Sequence, residues 1–84
     1  MRAADDVVWC PVEGEIVLFH TTEGAYFGLS AVAARIWTLL NEGRTPDSVV
    51  ETLVSEYEVD ESPARSEVDR IVAELGGLKL LTED

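Results

Sequence analysis

The chain is short of positive charge. Six Lys and Arg face seventeen Asp and Glu, a formal net charge of −11 over 84 residues. A binder of nucleic-acid backbones needs Lys and Arg to displace counterions, so this balance argues against one. It favours a basic partner, through faster encounter more than through tight contact. A single cysteine, Cys10, rules out an internal disulfide and fits a reducing compartment. One Cys and one His, His20, cannot close a zinc site, and the carboxylates lack calcium-loop spacing. The start of the chain, Met1-Arg2-Ala3-Ala4-Asp5-Asp6, has no apolar core of a signal peptide. No stretch approaches the ~20 apolar residues of a membrane span. No glycine-rich loop opens a helix, since Gly76-Gly77 follows one, and no nucleophile-elbow pattern occurs. These absences predict a cytoplasmic protein with no metal, cofactor, membrane or nucleic-acid partner.

What is present predicts one domain, residues 1–84, with 46% hydrophobic residues to build a core. Val7-Val8-Trp9-Cys10 reads as a strand that Pro11 ends or confines to an edge. Glu13-Gly14-Glu15 reads as a turn, residues 16–21 as a second strand, and Thr22-Glu23-Gly24 as another turn. Ala25-Tyr26-Phe27-Gly28-Leu29 reads as a third strand. Short connections favour an antiparallel meander.

Three helices come next. Ser30 offers a capping hydroxyl, and Ala33, Ile36, Trp37 and Leu40 repeat on one helical face up to about Asn41. Gly43 supplies the left-handed residue that commonly closes a helix. Thr45-Pro46 opens the second helix with a cap and a proline at its first position, and Asp47 suits the positive end of the helix dipole. Its buried face is Val49, Val50, Leu53 and Tyr57. Residues 58–61 read as a linker, and Ser62-Pro63 repeats the capping device. Ala64, Val68, Ile71, Val72 and Leu75 form the third helix's stripe, which Gly76-Gly77 ends. Leu78-Lys79-Leu80-Leu81 is an apolar tail that packs on the core or adds a brief strand, and residues 82–84 are expected to fray. Strands then helices, segregated, define an α+β fold: a three-stranded antiparallel sheet followed by three helices, winged helix-turn-helix-like.

Catalytic readings are thin. Cys10 with His20 would be a nucleophile and base lacking an orienting group, and both fall in strands. The winged-helix order invites a DNA-binding regulator. Its recognition helix, however, balances Arg65 and Arg70 with three acids, and Arg65/Asp69 and Arg70/Glu74 sit at i,i+4, where they can pair on the helix surface. The free edge of the third strand remains. Ala25 to Leu29 contain no Lys, Pro or acid to block pairing, and Gly28 lets another backbone come close. Leu29 reads as core. For Tyr26, Phe27 and Gly28, a structural role and edge pairing stand equally open.

The ordered set Tyr26-Phe27-Gly28-Leu29-Ser30, Ala33-Ala34-Arg35-Ile36-Trp37-Thr38-Leu39-Leu40, Gly43, Thr45-Pro46-Asp47-Ser48-Val49-Val50, Leu53, Tyr57, Val59-Asp60 and residues 75–78 resembles the PqqD-like family of RiPP recognition elements. Two departures are Ser30, where the family often has Asn, and Gly76-Gly77 in place of a longer helix end. A free-standing chain of this length is most similar to the recognition proteins of lasso-peptide pathways. The resemblance implies a non-catalytic protein that binds the leader of a precursor peptide. It implies delivery to a separate transglutaminase-like cysteine peptidase and an ATP-dependent macrolactam synthetase. The leader would add as a strand to Ala25, Tyr26, Phe27, Gly28 and Leu29. The other wall would come from Arg65, Val68, Asp69, Val72, Ala73 and Gly76, or from the opposite flank of that helix, with Glu67, Arg70 and Glu74.

Overall fold

A computed structural model describes residues 1–83. Its elements are β1 (Arg2–Ala3), β2 (Val7–Val12), β3 (Glu15–His20), β4 (Ala25–Leu29), α1 (Ala31–Asn41), α2 (Pro46–Tyr57), α3 (Glu61–Gly77) and β5 (Leu81–Thr82). Strands β2, β3 and β4 form one antiparallel sheet in that order, with the helices on its inner side, and β1 pairs with β5 as a separate two-stranded ribbon. The α+β order expected from the sequence is the one observed, with two short strands added at the chain ends.

The hairpins arise from their turn residues. Glu13 and Gly14 both take positive φ, 52° and 84°, as a two-residue type I′ turn requires. Between β3 and β4, Gly24 at φ 70° closes a four-residue loop, and its N–H donates to the His20 carbonyl at 2.8 Å. Ile16, Leu18 and His20 alternate inward along β3. Pro11 lies inside β2 instead of ending it, tolerated because β2 is an edge strand.

Helix α1 lies on the inner face and buries Ala33, Ala34, Ile36, Trp37, Leu39 and Leu40. Trp37 is fully buried and meets Trp9 of β2 edge to face, with ring centroids 5.4 Å apart. Ser30 holds the N-cap position, but its hydroxyl makes no capping bond; the Ser30 carbonyl accepts the Ala34 N–H at 2.7 Å. Gly43, at φ 92°, closes the helix as expected. In α2 the Thr45 hydroxyl accepts the Ser48 N–H at 3.1 Å, the predicted cap. Val49, Val50 and Leu53 are buried, whereas Tyr57 stays 44% exposed because it ends the helix beside α1. Arg35 of α1 ties the two helices by a two-pronged pair with Glu56, at 3.0 and 2.7 Å.

Helix α3 departs from the expectation at both ends. Asp60 is its N-cap, so Ser62 is helical and caps nothing; Pro63 still falls in the first turn, where its missing N–H leaves no bond unmade. Gly76 and Gly77 are helical, and the left-handed residue is Lys79, φ 62°. The reversal at Lys79 turns the chain back into the core. Leu80 is fully buried, its N–H donates to the Leu75 carbonyl at 2.9 Å, and its own carbonyl accepts the Ala4 N–H at 3.0 Å. Thr82, expected to fray, pairs with Arg2 in β5, and Asp84 lies outside the described residues. Ala3 is locked further by its N–H bond to the Asn41 side chain at 2.8 Å.

This packing is open to two measurements. Trp37→Ala should cost about 3–5 kcal/mol of stability in urea denaturation, the range for large aromatic truncations. Trp37→Phe should cost much less, since Nε1 is buried without a hydrogen-bond partner and none is lost. The second measurement concerns Glu56, whose carboxyl the Arg35 hydrogen bond holds below its ordinary value of 4.5. A lowered folded value gives stability that is present above 4.5 and lost as pH falls through that lowered value. Side-chain NMR of Glu56 should therefore titrate below 4.5, and Arg35→Gln should return it toward 4.5.

Candidate functional site

The Cys10–His20 pair dissolves in the structure. Cys10 lies opposite Val17 and His20 opposite Val7, three rungs apart along the β2–β3 ladder. Cys10 is exposed, while His20 is buried with its Nδ1 accepting the Glu23 N–H at 3.1 Å, a turn-closing role. Among the described residues no three His, Cys, Asp or Glu side chains gather as a metal site, and no helix is long and apolar enough to cross a membrane.

The arginines are engaged within the molecule. Arg65 pairs with Asp47 at 2.8 Å and with Glu61 at 3.7 Å in place of the Asp69 its spacing suggested, and Arg70 bridges Glu67 and, as the spacing suggested, Glu74. These contacts raise both guanidinium pKa values further, the hydrogen bonds to Asp47 and to Glu67 contributing most. Arg2 reaches Asp5, Arg35 reaches Glu56 and Arg44 reaches Glu42. The acidic excess faces solvent with the arginines already committed, which removes the footprint a DNA reader requires.

Among the described residues, strand β4 pairs only with β3 and leaves its other side unpaired. Its side chains alternate: Ala25, Phe27 and Leu29 turn toward the core, and Tyr26 and Gly28 turn away. Leu29 is core, as the sequence predicts; Phe27 is half-buried against the core; Tyr26 is 73% exposed and leans on Phe19, centroids 4.6 Å apart. Gly28 pairs in register with Val17. The backbone direction is set by alternation. A type I′ turn is closed by a hydrogen-bonded pair, here Val12 with Glu15. Ile16 therefore turns its amide and carbonyl to Leu29 on β4, and Ala25, Phe27 and Leu29 bond to β3. The N–H and C=O groups of Tyr26 and Gly28 are left to the free edge.

The six helical residues drawn from the resemblance do not share one place. Val68 is fully buried in the core. Arg65 turns toward α2 through Asp47, and it lines a shallow hollow with Glu61, Ser62, Ser66 and Asp69. Val72, Ala73 and Gly76 line a cavity of about 220 Å³ with Met1, Leu81, Thr82 and Glu83. No β4 residue lines either space. The opposite flank borders a different cavity of about 200 Å³, nearly all apolar, walled by Val32, Leu53, Tyr57, Val59, Pro63, Ala64 and Glu67. Val32 stands three residues beyond the end of β4, in the first turn of α1. Nothing in the sequence singles out this flank, because Pro63 and Glu67 carry no mark apart from their helical position.

An open sheet edge free of blocking residues has the geometry on which an extended peptide can add as a further strand. Comparison with known proteins gives it a family. Residues 15–81 match the family described as coenzyme PQQ synthesis protein D (PqqD), and the chain belongs to that family. Two solved structures are similar over nearly the whole chain. One, described as TbiB1 in complex with the TbiA(beta) leader peptide, is 37% identical with a TM-score of 0.92, covering 100% of each chain. The other, described as lasso peptide synthetase B1 complexed with the leader peptide, is 27% identical with a TM-score of 0.90, covering 98% of this chain and 96% of that one. The comparison with curated proteins found no match.

The edge assignment is checked by amide hydrogen exchange on the isolated protein. The Tyr26 and Gly28 N–H groups should exchange fast, and those of Phe27 and Leu29 slowly. The reverse parity would mean that the ladder is read in the wrong phase.

Proposed function

We propose that this protein binds the leader segment of a ribosomally made precursor peptide, of the lasso class, by strand addition to β4. It then delivers the leader to a separate peptidase and an ATP-dependent macrolactam synthetase, and it has no catalytic residues of its own. The observation that carries the reading is the unpaired β4 edge, left free while the C-terminal segment pairs with β1 instead. The similarity to two leader-bound proteins supports it. Each main-chain hydrogen bond contributes on the order of 0.5–1.5 kcal/mol with little demand on sequence, and alternate side chains supply selectivity. The net charge of −11 speeds encounter with a basic segment.

Helix α3 is the second wall of the groove. We take its Glu67–Arg70–Glu74 flank as the one that faces the peptide. In support, the Arg65–Val72 flank is already engaged by α2 through Asp47 and by the chain ends around Met1 and Leu81. Ala25 to Leu29 form the first wall, with Tyr26 and Gly28 offering the backbone groups.

Fluorescence anisotropy with a labelled synthetic leader tests the reading. Arg70→Asp should weaken binding by about 2 kcal/mol, the scale of an interface hot spot, or about 30-fold in Kd. Val72→Asp should stay within about threefold, a change of ~0.7 kcal/mol or less. The opposite pattern moves the peptide to the Val72 flank. Saturating leader should also slow exchange at Tyr26 and Gly28, and unchanged exchange there removes strand addition altogether.

A further inference from the structure

Nothing inside the fold requires glycine at position 28. Gly28 stands in the body of β4, where a glycine weakens a strand through its extra chain entropy and its missing side chain. Positive φ, the usual reason for glycine, is found at Gly14, Gly24 and Gly43 but not at Gly28. A Cβ added at Gly28 would meet nothing within 4 Å, so no neighbour in the molecule needs the space either. The gap opens on the outward face of the sheet, at the free edge. Tyr26, 73% exposed, stands beside it along β4, and Val17, 40% exposed, stands across from it on β3. The Tyr26 ring leans on Phe19 in its own row, centroids 4.6 Å apart, and leaves the gap unfilled.

We propose that Gly28 sets the register of the bound leader: the leader residue paired with it carries a long or ringed apolar side chain, Leu, Met, Phe, Tyr or Trp, that lies across the bare backbone onto Val17. The inference rests on the strand-addition reading above and deepens it. Residues directly opposite on neighbouring strands share a face, so the side chain of that leader residue emerges on the outward face beside Gly28. Val17 lies two strand spacings from the leader, roughly 9.5 Å. Alanine, serine and valine are too short to reach it. A charged end group would be set against the rows Val8–Phe19–Tyr26 and Cys10–Val17–Gly28, which hold no charge to pair with it. Main-chain pairing alone does not fix where the guest stops. A slip of two residues keeps every side chain on its face and remakes the same bonds. A notch that takes one large side chain in one place removes that freedom. At Tyr26, the other residue that turns its backbone to the edge, a side chain already occupies the face, so the two edge positions are unequal.

The test uses the full chain and a labelled synthetic leader with its single-alanine variants. Gly28→Thr supplies a β-branched side chain that suits a strand. Its Tm should equal or exceed that of the wild type, while leader affinity falls at least tenfold. Gly28→Ala, which adds only a methyl group, should lose about threefold. One leader position should be coupled to residue 28: its alanine variant binds the wild type at least tenfold more weakly than the unsubstituted leader, yet the two bind Gly28→Thr within about twofold of each other. At that position Leu or Phe should bind the wild type at least fivefold more tightly than Val. Wild-type affinity in Gly28→Thr overturns the proposal, and so does a set of alanine variants that lose equally in both proteins. A lower Tm for Gly28→Thr would show that the fold itself calls for glycine and would also overturn it. Amide exchange separates this inference from its parent reading. A leader that slows exchange at Tyr26 but binds Gly28→Thr normally retires the notch and keeps strand addition, whereas one that leaves exchange unchanged removes both.

Discussion

The pairing of the last residues with the first decides what the sheet can do. An edge strand can be covered by another segment of its own chain. Here residues 79–82 are held elsewhere. Lys79 reverses the chain, Leu80 drops into the core, and Leu81 and Thr82 pair with Ala3 and Arg2. The ribbon is pinned twice more, by the Ala4–Leu80 and Ala3–Asn41 bonds. A buried leucine contributes roughly 1.5–3 kcal/mol, so the tail has a strong reason to stay where it is. These residues therefore do not cover the β4 edge.

A free edge invites pairing by any extended chain, and proteins usually blunt it with charge or proline. β4 does neither, whereas β2, the other edge, contains Pro11, which has no N–H to offer. The two edges are therefore unequal. The acidity of the surface adds a second filter. With the arginines held by carboxylates, an acidic segment is repelled and a basic one drawn in. On the reading proposed above, charge would narrow general main-chain adhesion before any side chain is read.

Much of this was legible in the residues, for reasons that can be named. Turns that need positive φ showed themselves at Gly14, Gly24 and Gly43, and the Thr45-Pro46 cap formed as written. The unblocked run at residues 25–29 marked the edge because strand-blocking residues are few and recognisable. The features that stayed hidden depend on distant partners. Ser62-Pro63 looks like a cap, yet Asp60 just upstream takes the position, since a proline fits anywhere in a first turn. Gly76-Gly77 looks like a stop, yet a helix continues through glycine when the chain beyond it is anchored, as Leu80 is. Tyr57 keeps the helical spacing of its buried neighbours but falls at the end of the element, where the partner surface runs out. The pairing of β1 with β5 spans the whole chain, and two-residue strands carry no periodicity to find.

Which flank of α3 meets a neighbour is not written in the sequence, and the reason is general. An amphipathic helix declares its buried stripe, here Ala64, Val68, Ile71 and Leu75, but not which shoulder of that stripe meets a neighbour. Polarity does not separate the shoulders: one carries Arg65 and Asp69, the other Glu67, Arg70 and Glu74. The separation comes from tertiary contacts. Arg65 commits its guanidinium to Asp47 of α2, which turns that shoulder toward the helical layer. Arg70 finds its partners within its own helix, at i−3 and i+4, and so makes no claim on a neighbouring element. A self-contained ion-pair ladder keeps its charges satisfied with that shoulder facing solvent, and it makes no contact with another element that an arriving chain would have to break, which is the ground for the flank proposed above.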